Sequence, residues 1–347
     1  MDDQINIKAA VTNPYQIYMR DDLQDTGSIP SGARTASMSP DIIPRQRLLD
    51  DPNELITTDW DRDMGQPLVE GITNYIYVRG ASRDNVGAGN EVVGRVNLYS
   101  VPSCLFMTPN RWTQIPEPGD DVTFTATGND QHLLGSAPFR WTPPNRNVHY
   151  CLVAQVQTNA EPNNIPAGFP NNGAFINWVV DDPAIAWRNL SIEENRTGTV
   201  SQSQSFGNLD NYPVSVMFLV TAKGFENGTT ITLGSQSPCL GAPINEERVV
   251  NNPNYSVVNM NTVAPRSDGV LDVFVTPPEG GNVPVGATLT IQYIQFGEAG
   301  GALSHDLQSD ALLKRHSQPL SAYGLADEDG GQGLHGTRLG EVTIEYK

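Results

Sequence analysis

The sequence has few charged residues and no long apolar run. Charged residues make up 17% of the 347, and the balance is acidic, with a net charge of −18. Phosphate binding requires clustered lysine and arginine, so the composition argues against nucleic acid as a partner. No run approaches the ~18 apolar residues of a membrane span, so no transmembrane segment is predicted. The charge fits a soluble protein that binds cations or a basic partner.

Cysteine is scarce as well. Cys104, Cys151 and Cys239 are widely spaced and odd in number, which fits neither a disulfide framework nor a zinc site. We expect them to be small buried hydrophobic residues. The chain starts Met1-Asp2-Asp3, without the basic start and apolar segment of a signal peptide. The expected location is the cytoplasm, or outside the cell by a route that reads no N-terminal signal.

The residues that are abundant favour short strands joined by turns. There are 32 glycines and 26 prolines, so long helices are hard to place. Residues 73–80 alternate, with Ile76 and Val78 on one face and Tyr77 on the other. Residues 92–100 alternate in the same way. The two runs, with a polar loop between them, predict a β-hairpin.

The same patterning predicts an all-β protein of two antiparallel β-sandwich domains. Residues 159–177 are predicted to be a loop, and 184–192 a single strand. Five residues are expected in the core of the first sandwich: Tyr77, Cys151, Leu152, Val153 and Trp187. The predicted divisions are an N-terminal strand and extended arm (1–38), a first sandwich (39–198), a second sandwich (199–302), and a C-terminal helix, Gly/Asp-rich loop and strand (303–347).

Five short runs within 39–195 resemble, in their order, bacterial immunoglobulin-like modules related to the cell-adhesion-type domains of surface and exported proteins. The runs are Ser39-Pro40-Asp41-Ile42, Asn74-Tyr75-Ile76-Tyr77-Val78-Arg79, Val96-Asn97-Leu98-Tyr99, His149-Tyr150-Cys151-Leu152-Val153-Ala154 and Ala186-Trp187-Arg188-Asn189-Leu190. The resemblance implies an immunoglobulin-like β-sandwich with an accessory or adhesive role. It also implies that these positions determine the fold rather than carry catalysis.

One acidic loop is a candidate metal site. Asp59, Asp61 and Asp63 alternate and precede Gly65, and three such carboxylates can turn toward one Ca²⁺, which takes six to eight oxygen ligands. The acidic closing residue of the helix-loop-helix calcium motif is absent, so a solvated acidic loop is the alternative. Asp21, Asp22 and Asp25 form a second cluster of the same kind.

Three tryptophans, Trp60, Trp112 and Trp178, are candidates for stacking on sugar faces, as in a carbohydrate-binding module; core packing is the alternative. A glycoside hydrolase needs two carboxyls ~5–9.5 Å apart. The 39 acidic residues offer many pairs, and no motif marks one. No serine-hydrolase, zinc-protease or phosphate-loop motif is present.

The sequence therefore predicts a non-catalytic structural or adhesive protein that assembles with itself or with another exported protein. The alternative is a carbohydrate- or calcium-binding accessory module of a toxin or hydrolase system. Both hypotheses place protein, sugar or Ca²⁺, rather than nucleic acid, among the partners.

Overall fold

The structure is a computed structural model in which part of the chain is described. The described residues are 15–31, 37–69, 71–83, 86–87, 89–102, 109–144, 150–194, 198–252, 254–279, 281–298, 318–319 and 334–346. The N-terminal strand, predicted at 5–11, the C-terminal helix, predicted at 305–315, and Cys104 lie outside these ranges.

Ten strands in two five-stranded antiparallel sheets form the first sandwich. Sheet 1 contains β1 (Ile17–Tyr18), β2 (Ile42–Arg45), β4 (Asn74–Ser82), β8 (His132–Leu134) and β9 (Phe139–Trp141), with β4 at its centre. Sheet 2 contains β5 (Val92–Pro102), β6 (Thr113–Gln114), β7 (Thr123–Ala126), β10 (Tyr150–Gln157) and β11 (Ile185–Asn189).

The predicted hairpin is wrong, because β4 and β5 lie in different sheets. Ile76 and Val78 of β4 share one buried core with Val96 and Leu98 of β5. The alternation separated the two faces of each strand correctly, but the prediction of Tyr77 in the core chose the wrong face of β4, because Tyr77 packs in a separate cluster with Ile43 and Leu55. The alternation does not identify the neighbour, because a period of two fixes only the face on which a side chain lies.

Two further sheets form the second sandwich. Sheet 3 contains β3 (Leu68–Val69), β12 (Ser191–Glu194), β14 (Val214–Lys223), β17 (Asn254–Val263), β19 (Thr288–Glu298), β20 (Gln318–Pro319) and β21 (Leu334–Tyr346). Sheet 4 contains β13 (Val200–Asn208), β15 (Thr230–Ser235), β16 (Ile244–Val249) and β18 (Ser267–Thr276). Phe206, Phe218 and Tyr293 pack between the sheets, and the Tyr293 hydroxyl donates to the Gly207 carbonyl across the core.

Sheet 3 crosses the predicted domain divisions. Its strands run in the order β17-β14-β19-β21-β12-β3, so β3 and β12, from within 39–198, extend a sheet of the second sandwich. They join it as parallel strands, with Ile192 between Ile344 and Leu68. The C-terminal strand β21 is central to the same sheet and pairs along β19. The residues of both predicted sandwiches and the tail are thus hydrogen-bonded into one sheet.

The described helices are short. They are α1 (Glu54–Thr57), α2 (Asn172–Asp181) and a 3-10 turn at Pro109–Arg111. The prediction of a loop over 159–177 is wrong in its last six residues, where α2 begins; Asn171 caps that helix by accepting a hydrogen bond from the Ala174 N–H at 2.7 Å. Among the described residues, no helix has the length and apolarity needed to span a bilayer.

The single strand predicted over 184–192 is in fact interrupted. Ile185–Asn189 is β11 of sheet 2, and Leu190 separates it from β12 of sheet 3. The break passes the chain from one sandwich to the other. A continuous alternating pattern does not show such a change of sheet, because it reports only the strand conformation and not the neighbouring strand.

The predicted burial is confirmed, but its predicted place is only partly right, and one expectation about the cysteines is wrong. Tyr77, Cys151, Leu152, Val153 and Trp187 are all buried, with at most 3% exposure. Leu152 lies in the core between sheets 1 and 2, whereas Cys151, Val153 and Trp187 belong to the core that continues into the second sandwich. Cys151 is disulfide-bonded, whereas Cys239 is free and buried. Sequence spacing does not report which cysteines the fold brings together, so the wide separation was not evidence against a bond.

Candidate functional site

The acidic loop at 59–63 is held by arginines. Arg62 Nη1 donates to Asp59 Oδ1 at 3.0 Å, and the Arg188 guanidinium donates to both oxygens of Asp63 at 2.9 Å. Asp61 is exposed. In the ranges that the structure describes, no three His, Cys, Asp or Glu side chains are grouped so as to hold a metal ion. Calcium binding by Asp59, Asp61 and Asp63 stays a prediction.

Calcium would stabilise the fold by binding the native loop, by about 2.7 kcal/mol at a hundredfold excess over Kd. The expected result is a higher melting temperature in millimolar calcium than in chelator, with a weaker response in Asp61→Asn. Equal melting of the wild-type protein in calcium and in chelator, with no heat of binding in calorimetry, would show a solvated loop.

The loop takes its shape from a buried arginine that sequence analysis did not identify as structural. Arg79 is fully buried, and its guanidinium donates to the carbonyls of Leu55, Asp59 and Arg62 at 2.6–2.8 Å. Its Nε donates to Asp41 Oδ1 at 3.0 Å. Burial lowers the pKa of Arg79, and the Asp41 carboxylate opposes that shift. The alternation places Arg79 on the same face of the strand as Tyr77. That shared face was the sequence signal that the position of Arg79 is buried.

Trp60 has both ring faces covered. His132 stacks on one side, with ring centroids 3.9 Å apart and an interplanar angle of 13°. The Arg20 guanidinium lies 3.7 Å from the ring centroid, as in a cation–π contact. A sugar would have to displace one of these groups to stack on Trp60.

Trp112 and Trp178 pack on each other. Their ring centroids are 5.8 Å apart, and the row continues to Tyr99 on one side and to Phe169 on the other. Both tryptophans are half-buried against the shared core. The contacts are those of core packing. Sugar binding by Trp60, Trp112 or Trp178 stays a prediction.

The second acidic cluster lies in a tight turn. Asp25 accepts hydrogen bonds from the N–H groups of Asp21 and Gly27, at 3.0 and 2.8 Å. Burial raises the pKa of Asp21 well above its ordinary value, and the nearby Asp25 carboxylate raises it further. A further buried aspartate, Asp182, follows α2 and accepts from the Ala184 N–H at 3.0 Å.

Asp182 should make stability fall as the pH rises. Burial, with a smaller contribution from Glu161, raises the pKa of Asp182 from 3.8 to about 7. The folded protein therefore favours the protonated form of the Asp182 carboxyl more than the unfolded chain does. Its stabilisation is fully present below pH 3.8 and is lost as the pH rises through 7. We expect Asp182→Asn to raise the free energy of unfolding at pH 8 by on the order of 2 kcal/mol.

Urea denaturation at pH 4 and pH 8 measures this effect. The gain from Asp182→Asn should shrink at pH 4, where the wild-type carboxyl is largely protonated in the fold. Asp181→Asn, which makes the same chemical change at the neighbouring position, is the matched control. A gain of equal size at both pH values would contradict the assignment.

A polar cleft lies where the two sandwiches meet. Its volume is about 280 Å³, and Asp63, Arg188, Glu341 and Glu345 are among the residues that line it. Arg188 pairs with Asp63, and Glu341 accepts hydrogen bonds from Arg338 and Gln292. Most of the charge is thus already balanced, and the cleft is smaller than the ~300–1,000 Å³ of typical ligand pockets.

The outer edge of sheet 3 is formed by a long uncharged strand, β17. β17 pairs with β14 in unbroken register, from Val263 opposite Val214 to Asn254 opposite Lys223. Its sequence, NYSVVNMNTV, contains no charged residue and no proline. Soluble proteins usually protect long edge strands with charges, prolines or bulges, because the unpaired backbone groups accept another strand.

The direction of the free backbone groups follows from one hydrogen bond. The Gly241 N–H donates to the Thr262 carbonyl at 2.8 Å, on the side away from β14. Backbone groups alternate in direction along a strand, so those of Asn254, Ser256, Val258 and Met260 point the same way. Four residues with one N–H and one C=O each present eight groups. The Asn254 N–H donates to Asn252 Oδ1 at 3.0 Å. Within the described ranges the other seven have no hydrogen-bond partner.

The edges of sheet 4 differ from β17. β16, at one edge, has the charged residues Glu246, Glu247 and Arg248. β13, at the other, is uncharged, but Gln202 and Ser205 already take part in further interactions. β17 was not among the strands predicted from the sequence; its uncharged run of ten residues was the signal that could have identified it.

Comparison with known proteins returns little. The chain matches no family model and no curated protein sequence. Among solved structures, it matches the CupB6 tip adhesin from Pseudomonas aeruginosa at 7% identity, over 66% of this chain and 89% of that chain, with a TM-score of 0.14. A superposition at that TM-score supports no inference about fold or function.

Proposed function

We propose that this protein is a non-catalytic structural or adhesive protein that assembles by accepting an extended strand at β17. The observation that carries the proposal is the row of seven unpaired backbone groups on a ten-residue edge without charge or proline. Strand addition satisfies such groups with main-chain hydrogen bonds, and the alternate side chains provide specificity.

The side chains beside the free edge suit such a partner. Asn254 and Ser256 are exposed, Val258 is half-buried, and Met260 is 50% exposed. These four side chains lie on the outer face, because Val257 and Val263 point into the core. An added strand would therefore meet polar residues at one end of the edge and apolar residues at the other.

A synthetic peptide with the sequence of Asn254–Val263 tests whether the edge accepts a strand. We expect the labelled peptide to bind the wild-type protein and to bind Ser256→Pro at least tenfold more weakly. Proline removes the outward N–H of position 256 and obstructs the edge. The bonds to β14 come from the odd-numbered residues and remain. Fluorescence anisotropy measures binding, and melting curves verify that the variant is folded.

Ser256→Ala is the matched control, because it removes the hydroxyl and keeps the N–H. It should bind the peptide as the wild-type protein does. Absence of binding to the wild-type protein, or equal binding to Ser256→Pro, would overturn the proposed function.

A further inference from the structure

We infer that the strand accepted by β17 is β17 of a second copy of this chain, in antiparallel register about Val257. This inference rests on the proposed function and names its partner. Every copy exposes the same seven unpaired groups, so a two-fold arrangement pairs both free edges in one contact.

The register follows from the positions of the outward-facing residues. In antiparallel pairing about Val257, Asn254 faces Met260 of the second copy and Ser256 faces Val258. Each copy contributes all four outward residues, giving four pairs. The two Ser256–Val258 pairs have two bonds each, and the two Asn254–Met260 pairs have one each because the Asn254 N–H already donates to Asn252 Oδ1, so the total is six bonds. A shift of two residues, which centres the contact on Val258, leaves Asn254 opposite Thr262. The Thr262 carbonyl is already bonded to Gly241, so that register would place Asn254 of the second copy where Gly241 already lies.

The charge pattern permits this contact. The chain has a net charge of −18, so two copies repel each other at long range. β17 itself is uncharged, and pairing two copies of it brings no like charges face to face. The repulsion between copies is screened by salt. The dimer should therefore become stronger as salt is added, whereas association with a basic partner would become weaker.

Sedimentation velocity of the whole protein measures the association. We expect a concentration-dependent dimer for the wild-type protein and for Ser256→Ala. Ser256→Pro should dissociate at least tenfold more readily, and the wild-type dimer fraction should increase between 50 and 500 mM sodium chloride. A wild-type protein that stays monomeric while it still binds the peptide would overturn the second copy as partner and leave the proposed function standing. A dimer that Ser256→Pro leaves unchanged would place the contact elsewhere and also overturn the inference.

Cysteine pairs test the register. In Ser256→Cys/Val258→Cys each new thiol faces one in the second copy, at the Cα separation of ~5.5 Å that suits a disulfide. In the control pair, Asn254→Cys/Val258→Cys, no two new thiols face each other. We expect mild oxidation to give a covalent dimer of the first variant at least tenfold faster. Peptide mapping distinguishes the new bond from any that involves the native cysteines. Equal crosslinking of the two variants would overturn the register about Val257.

Discussion

Asp41→Ala should lower the free energy of unfolding by about 3–5 kcal/mol, because it leaves buried cations without their counter-ion. Asp41 is fully buried. Its Oδ1 lies 2.6 Å from Arg20 Nη2 and 3.0 Å from Arg79 Nε, and both arginines are buried as well. The carboxylate also accepts the Arg20 backbone N–H at 2.7 Å. Urea denaturation of the purified variant measures the loss.

Arg62→Ala is the control for this result. It removes the ion pair with Asp59 from the same part of the fold, but the Arg62 side chain is 68% exposed. Exposed pairs contribute about 0–1 kcal/mol. The Arg62 carbonyl, which accepts from Arg79, is retained. A loss below 1 kcal/mol for Asp41→Ala would show that water reaches the two guanidinium groups.

Trp187→Ala should cost about 3–5 kcal/mol, since it removes a large side chain from a packed core. Trp187 is 2% exposed and lies opposite Val153 in sheet 2. Its ring packs against Phe175 of α2, with centroids 5.8 Å apart. The change would therefore weaken the contact that holds α2 on the sheet. Chemical denaturation gives the loss, and an unchanged melting temperature would contradict the assignment.

Trp187→Phe distinguishes the effect of lost side-chain volume from the effect of a lost hydrogen bond of the indole N–H. The Trp187 indole N–H is buried without a hydrogen-bond partner among the described residues, so phenylalanine loses no bond and keeps part of the ring. Its cost should be less than half that of the alanine variant. An equal cost for the two substitutions would show that the indole N–H has a partner.

Local patterning predicted the strands better than their arrangement. The alternation at 73–80 identified β4 as a strand, although the side of Ile76 and Val78, and not that of Tyr77, faces the core of the first sandwich. The apolar run 150–156 identified β10 as a core strand. Neither pattern reports which strand lies alongside, so β4 and β5 were wrongly paired. The helix α2 was missed because Asn171 and Asn172 were taken as loop residues, although asparagine is also a strong helix N-cap.

The residues that resembled immunoglobulin-like modules come together in the first sandwich. Asp41 of the first run and Arg79 of the second form a buried ion pair, and Val153 and Trp187 face each other across neighbouring strands. These contacts agree with a role in the fold. The relationship to those modules itself, and the adhesive role that it implies, remain proposals.

The sequence by itself determined that the protein is all-β, that its core includes Trp187 and the strand around Leu152, and that its surface is acidic. These properties depend on side-chain periodicity and composition, which are local. Only the tertiary structure decided that Arg188 would neutralise Asp63 and that β17 would lie at an edge. The sheet neighbours of a strand are set by contacts between residues far apart in the chain, and those contacts leave the backbone groups of Ser256, Val258 and Met260 available to another strand.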